Sequence, residues 1–250
     1  DPAGTRSAPQ RTLVTELYLP AGSGPHPLVV FAHGYNGDPA KFSQLFGHWS
    51  DAGFAVLAPR FPVTFTDPAS VPLARAGDVK EQPHDMSFVL DQLLKGRYAD
   101  RVDRGRIGVA GLSLGGGTTW GLISDRCCVD RRFKAAAIMD GTQFGFDGPD
   151  AAPVRIPVIV YHATRDYSLS YASARAAYAT LPAPKYFVSI DEFVHAQPYE
   201  NDPDPADAMV AASSVDFFRA YLNGDAEARR RITTDATVAG ISSAESDTGR

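Results

Sequence analysis

Short, mainly apolar runs recur along the chain at 27–32, 54–59, 106–110, 133–139, 157–162 and 186–190. They lack the apolar/polar alternation of a strand with one wet face, so they predict parallel strands covered on both sides. A seventh strand, at 12–19, is β-branched with partial alternation and stops at Pro20. Between the runs the apolar spacing turns helical. Phe42, Leu45, Phe46 and Trp49 share a face over 39–51, and Met86, Val89, Leu90, Leu93 and Leu94 share one over 84–95, ahead of Gly96. Further helices are expected after residue 117, over about 168–180, and over about 206–222, where Asn223-Gly224 is a stop signal.

Strands alternating with helices from 27 to 222, with no repeat or mid-chain linker, predict an α/β fold. Its sheet is mostly parallel, with helices on both faces, and 1–250 forms a single domain. Residues 1–10 are read as a loose lead-in, and 60–82 as a proline-rich loop. The tail 225–250 is read as partly helical before it frays.

In such a sheet the ligand site lies in the loops beyond the carboxyl ends of the strands. Four segments with chemical potential fall there: 33–37, 111–115, 164–166 and 191–195. Gly111-Leu112-Ser113-Leu114-Gly115 reads Gly-x-Ser-x-Gly between a strand and a helix, a turn that exposes a serine Oγ. A serine hydroxyl needs a base, and the base needs a third group to fix its tautomer.

Six histidines are available. His26 lies in a Pro/Gly turn, and His48 and His84 lie in or at the start of helices away from the strand ends. His162 sits inside a strand and reads as a core residue, and His33 as a loop-shaping one. His195, after the last expected strand, is the expected base. Asp166, directly after the preceding strand, is the expected acid, with Asp140 as runner-up; Asp191 and Glu192 are tethered too closely to His195. An oxyanion hole requires two preorganised donors, expected from the main-chain N–H groups of Leu114 and Tyr35.

Together, His33-Gly34-Tyr35, the Ser113 pentapeptide, Asp166 and His195 resemble the α/β-hydrolase superfamily over about residues 11–224. Within it the chain is similar to bacterial lipases, cutinase-like polyester hydrolases and the acetylhydrolase/dienelactone-hydrolase-like group. The resemblance implies a nucleophile at Ser113, a base at His195, an acid at Asp166 and oxyanion donors at Tyr35 and Leu114. It implies a secreted serine carboxylic-ester hydrolase acting through an acyl-enzyme, without metal or organic cofactor. Tyr35 matches the aromatic that cutinase-like enzymes carry beside the oxyanion loop. Leu114 stands where they usually have methionine, and the cysteines do not supply their C-terminal disulfide. Ser113 argues against dienelactone hydrolysis, which uses a cysteine nucleophile. Only 140–155 occupies the place of a cap, too short for a helical cap domain, which implies an open cleft suited to bulky or polymeric esters. A peptidase, thioesterase or acyltransferase on the same triad, or a non-catalytic binding protein of this fold, are the alternatives.

Composition narrows this little. The net charge of −5 with both signs interspersed gives no basic face for nucleic acid, and no apolar run approaches the roughly 18 residues of a membrane span. A monomer acting on a small-molecule or polymeric ester is expected. Adjacent Cα atoms lie closer together than the roughly 4.4 Å usual for a disulfide. Cys127 and Cys128 are therefore expected as two buried free thiols, with a strained vicinal disulfide as the alternative, and neither a metal-ligand spacing nor a redox motif is recognisable around them.

Overall fold

A computed structural model describes residues 10–65, 73–144, 146, 151–201 and 203–249. Residues 1–9 of the lead-in, 66–72 of the proline-rich loop, and 145 and 147–150 of the segment 140–155 lie outside the described residues. Among the described residues eight strands form one sheet: β1 (Thr15–Tyr18), β2 (His26–Ala32), β3 (Ala55–Pro59), β4 (Val102–Leu112), β5 (Phe133–Met139), β6 (Val158–Ala163), β7 (Lys185–Ile190) and β8 (Ser242–Asp247). Their order is β1-β3-β2-β4-β5-β6-β7-β8. All neighbours pair in parallel except the two edges, where β1 runs antiparallel to β3 and β8 antiparallel to β7.

The apolar runs became the inner strands because each is covered twice. The helices are α1 (Ser43–Asp51), α2 (Gln82–Lys95), α3 (Leu114–Ser124), α4 (Tyr171–Thr180), α5 (Asp207–Leu222) and α6 (Ala226–Asp235). On one face Val29, Phe31, Ala110 and Ile159 meet Trp49 of α1 and Phe217 and Phe218 of α5. On the other Val30, Ile107, Val109 and Val160 meet Leu90 of α2, Trp120 of α3 and Ala177 of α4. With neither face wet, every position must be apolar, which is why alternation is missing.

All eleven residues of α3 are buried, and the helix begins directly after Ser113, at the strand-to-helix turn expected there. A helix this close to the sheet tolerates no side chain at the crossing. A Cβ on Gly115 would collide with the carbonyl of Ala32, and one on Gly116 would stand 2.7 Å from the Cα of Gly141. In the segment 140–155, Phe146 folds back against Gly121 and Ala151 pairs with Asp125 of the α3 terminus.

Two expectations are corrected. The tail does not fray after its helix: β8 runs the whole length of β7, from Ser242 opposite Ile190 to Asp247 opposite Lys185. An open strand edge is satisfied by any backbone, so a Ser/Ala/Glu/Asp segment pairs there without an apolar pattern. Cys127 and Cys128 are joined in a disulfide, with Cys127 exposed and only Cys128 buried. The cause is local. Asp125 draws the chain into a tight turn, its Oδ1 accepting from Cys127 N at 2.9 Å and its carbonyl from Cys128 N at 3.0 Å.

Candidate active site

Ser113 sits between β4 and α3 with φ +57° and ψ −116°, a conformation that L-residues avoid. It is held by its N–H on the Met139 carbonyl (2.9 Å) and by its own carbonyl on Gly117 N (3.0 Å). Helix and strand can then diverge sharply, leaving Oγ on the carboxyl edge of the sheet. His195 reaches the same edge from the loop after β7, and Asp166 from the loop after β6. Their two loops are laced together, Thr164 N to the Ile190 carbonyl at 2.9 Å and Arg165 N to the Phe193 carbonyl at 3.1 Å.

The three side chains meet. His195 Nε2 lies 2.7 Å from Ser113 Oγ, and Nδ1 lies 2.6 Å from Asp166 Oδ2. Asp166 Oδ1 accepts from Ser168 N (2.7 Å) and Leu169 N (2.8 Å). Burial alone would raise the Asp166 pKa, but these donors outweigh it and hold the carboxyl below its ordinary range. An ionised Asp166 only accepts, so Nδ1 carries the imidazole hydrogen and Nε2 is free to accept from the serine. For His195 burial works to lower the pKa. The bond to Asp166 and the charges of Asp166 and Asp140 work to raise it, and the net shift is upward.

Asp140, at the end of β5 with φ +40°, is the carboxylate that sequence reasoning placed second. It lies 4.0 Å from His195 Nδ1, beyond hydrogen-bond reach. Its oxygens are taken by Ala163 N (2.7 Å), Ala196 N (3.1 Å) and the hydroxyl of buried Tyr199 (3.2 Å). Burial raises its pKa. Asp140 therefore anchors the histidine loop to the ends of β5 and β6. Of the other acids considered, Glu192 pairs with Arg165 at 3.1 Å in solvent, and the Asp191 main chain bonds to Ile241.

The His33-Gly34-Tyr35 loop passes over Ser113: a Cβ on Gly34 would stand 3.2 Å from Ser113 Cβ and 3.8 Å from Oγ. His33 is fully buried. Its Nε2 accepts from Phe61 N at 3.0 Å, so Nδ1 is the donor, to the Gly34 carbonyl at 2.8 Å. Burial pushes its pKa down to about 4, so the ring is neutral. The Gly34 carbonyl also accepts from Gly37 N (3.0 Å). Across a trans peptide the N–H points opposite to the carbonyl, so fixing the Gly34 oxygen fixes the direction of the Tyr35 N–H. A polar chain braces this loop against α3: Asn36 N to the Thr64 carbonyl, Gln82 Nε2 to Thr64 Oγ1, and Thr118 Oγ1 to Gln82 Oε1. Nothing in the spacing of Thr64, Gln82 and Thr118 announces that link, nor the one from Tyr199 to Asp140.

The remaining histidines stay out of the site. His48 and His84 are exposed on α1 and α2. His162 is buried in β6, its Nε2 donating to the Leu169 carbonyl at 2.9 Å and lying 3.4 Å from Asp166 Oδ2. It backs the acid rather than facing Ser113.

A mostly parallel sheet with helices on both faces and a serine on the turn between its central strand and α3 is the architecture of an α/β-hydrolase. The family model Chlorophyllase matches residues 2–163, more than half of the chain, and the chain belongs to that family. It is accordingly a hydrolase of carboxylic esters. The matched span contains Ser113, Tyr35 and Asp140 and ends before Asp166 and His195. No curated protein matches the chain.

Proposed function

We propose that Ser113 is the nucleophile, His195 its general base, Asp166 the acid that orients the base, and the N–H groups of Tyr35 and Leu114 the oxyanion donors. The observation that carries this is the continuous relay of 2.6 and 2.7 Å from Asp166 through His195 to Ser113. In the first half-reaction Nε2 takes the serine proton as Oγ attacks the ester carbonyl. The imidazolium then gives that proton to the departing alcohol. Water, deprotonated by the same nitrogen, releases the acid from the acyl-Ser113 ester. Each oxyanion donor is worth about 3–4 kcal/mol in the transition state.

The substrate we infer is a bulky apolar ester, with a polymeric ester as the extreme case. Phe144, Tyr167 and Val194 are 47%, 78% and 39% exposed, and they stand on the loops that follow β5, β6 and β7. Apolar side chains held in water around the reactive edge suit an extended greasy partner better than a small polar one. An extracytoplasmic location, the compartment expected of a secreted enzyme, is supported by the Cys127–Cys128 disulfide.

Ser113→Ala is expected to lower kcat on a short-chain p-nitrophenyl ester by roughly 10⁴–10⁶-fold with the fold intact by circular dichroism. Wild-type turnover in that variant would overturn the assignment. A panel running from acetate to long acyl esters, chlorophyll and an insoluble polyester film tests the substrate: the expected preference is for the bulky members. A rate confined to acetate would refute it.

A further inference from the structure

Three side chains that the proposed ester chemistry does not use converge where the first turn of α2 meets the turn after α3. His84 Nε2 lies 3.9 Å from Cys128 Sγ, and the ligand atoms of His84, Cys127 and Cys128 all lie within 4.8 Å of one another. His84 and Cys127 are exposed, while Cys128 is anchored in an apolar cluster with Val79, Leu114 and Phe146. Asp125 fixes the turn through the Cys127 and Cys128 N–H groups. Two thiolates and an imidazole are the ligand set of tetrahedral zinc sites that keep one position open. With Zn–S near 2.3 Å and Zn–N near 2.0 Å, sulfur and nitrogen on one ion stand about 3.6 Å apart. The separation of His84 Nε2 from Cys128 Sγ, 3.9 Å, is within a few tenths of an ångström of that.

We propose that Cys127, Cys128 and His84 form a reduction-gated site for a thiophilic divalent cation of the Zn²⁺ type. In the disulfide the two sulfurs share a bond and make poor ligands. A dithiol reductant opens the site: its thiolate attacks the exposed Cys127 Sγ, the S–S bond breaks, and Cys128 leaves as a thiolate that takes up a proton. The second thiol of the reductant then closes a cyclic disulfide on itself and releases Cys127. The protein has gained two electrons and two protons, and the reductant has lost both. Binding of the cation displaces the two thiol protons. The ion is then held by two thiolates and His84 Nε2, with water at the fourth position, and the dipositive charge is neutralised.

Cobalt(II), a spectroscopic stand-in for zinc, tests this on the full chain. After anaerobic reduction and removal of reductant, one equivalent should bind with a thiolate-to-cobalt absorption in the near ultraviolet, and the oxidised protein should show none. His84→Ala, at an exposed position that leaves the fold alone, should weaken binding about tenfold or more. Absence of the band in reduced protein, equal binding by oxidised protein, or unchanged affinity in His84→Ala would each overturn the proposal.

Discussion

The loops after β5 and β6 each deliver an aspartate to the same imidazole, and they do opposite things with it. Asp166 is bound at one oxygen by two backbone N–H groups and at the other by His195, which keeps it ionised. Asp140 is 4.0 Å away, fully buried, and occupied by Ala163, Ala196 and Tyr199, with its pKa raised by burial. Proximity to a histidine is thus insufficient to make a carboxylate its partner. What decides is which atoms already fill its lone pairs and whether its surroundings favour the charged form. Asp166 is arranged to orient the imidazole, whereas Asp140 is arranged to hold the loop that carries it.

Substitution should separate the two roles, the larger effect falling on Asp166. Asp166→Asn keeps the volume but offers an amide where Nδ1 needs an acceptor. It should lower kcat on a soluble ester by about 10⁴-fold with little change in thermal midpoint. Asp140→Asn puts an amide hydrogen against one of three donors and displaces the His195 loop, so the loss should be about 10²-fold or less. Inverted magnitudes would exchange the two assignments.

The pH profile sharpens the contrast. In the proposed mechanism Nε2 must be unprotonated to act, so kcat/KM is expected to fall as pH drops through the His195 pKa, which lies above its ordinary 6.5. Burial opposes that rise and Asp166 is its main source, so residual activity in Asp166→Asn should show an acid limb moved to lower pH. Asp140→Asn, which removes a charge 4.0 Å from Nδ1 that makes no hydrogen bond to it, should move the limb the same way by less. An acid limb moved upward in either variant would contradict this electrostatic picture.

The smallest effect belongs to Tyr199→Phe, which takes one donor from Asp140 and leaves the packing of a buried ring in place. It should cost about 1 kcal/mol in urea denaturation and leave the acid limb in position. A shift of that limb would show that Tyr199 governs the charge on Asp140 and not only its place.

Much of this site could be read before any coordinates, because elbow chemistry is local. Gly111, Ser113 and Gly115 are dictated by one tight crossing of β4 and α3, and tight crossings leave glycine in the sequence. Asp166 and His195 could be shortlisted because each follows an apolar run that must be a strand. The bracing was not readable in that way. Gln82 between Thr64 and Thr118, and Tyr199 on Asp140, are polar residues at unremarkable spacings, brought together only by packing. The cysteine pair misled for a related reason: average disulfide spacing argued against a bond that the turn at Asp125 makes locally accessible.

By itself, then, the order of apolar runs determined the parallel sheet with its double cover and which strand ends carry reactive groups, since periodicity and burial act on neighbours along the chain. Tertiary structure alone decided that Asp166 rather than Asp140 touches His195, that Ser242–Asp247 closes the far edge of the sheet, and that His84 faces the cysteines. Those outcomes depend on distances between segments far apart in the chain and on main-chain hydrogen bonds, which any side chain permits and no pattern of residues records.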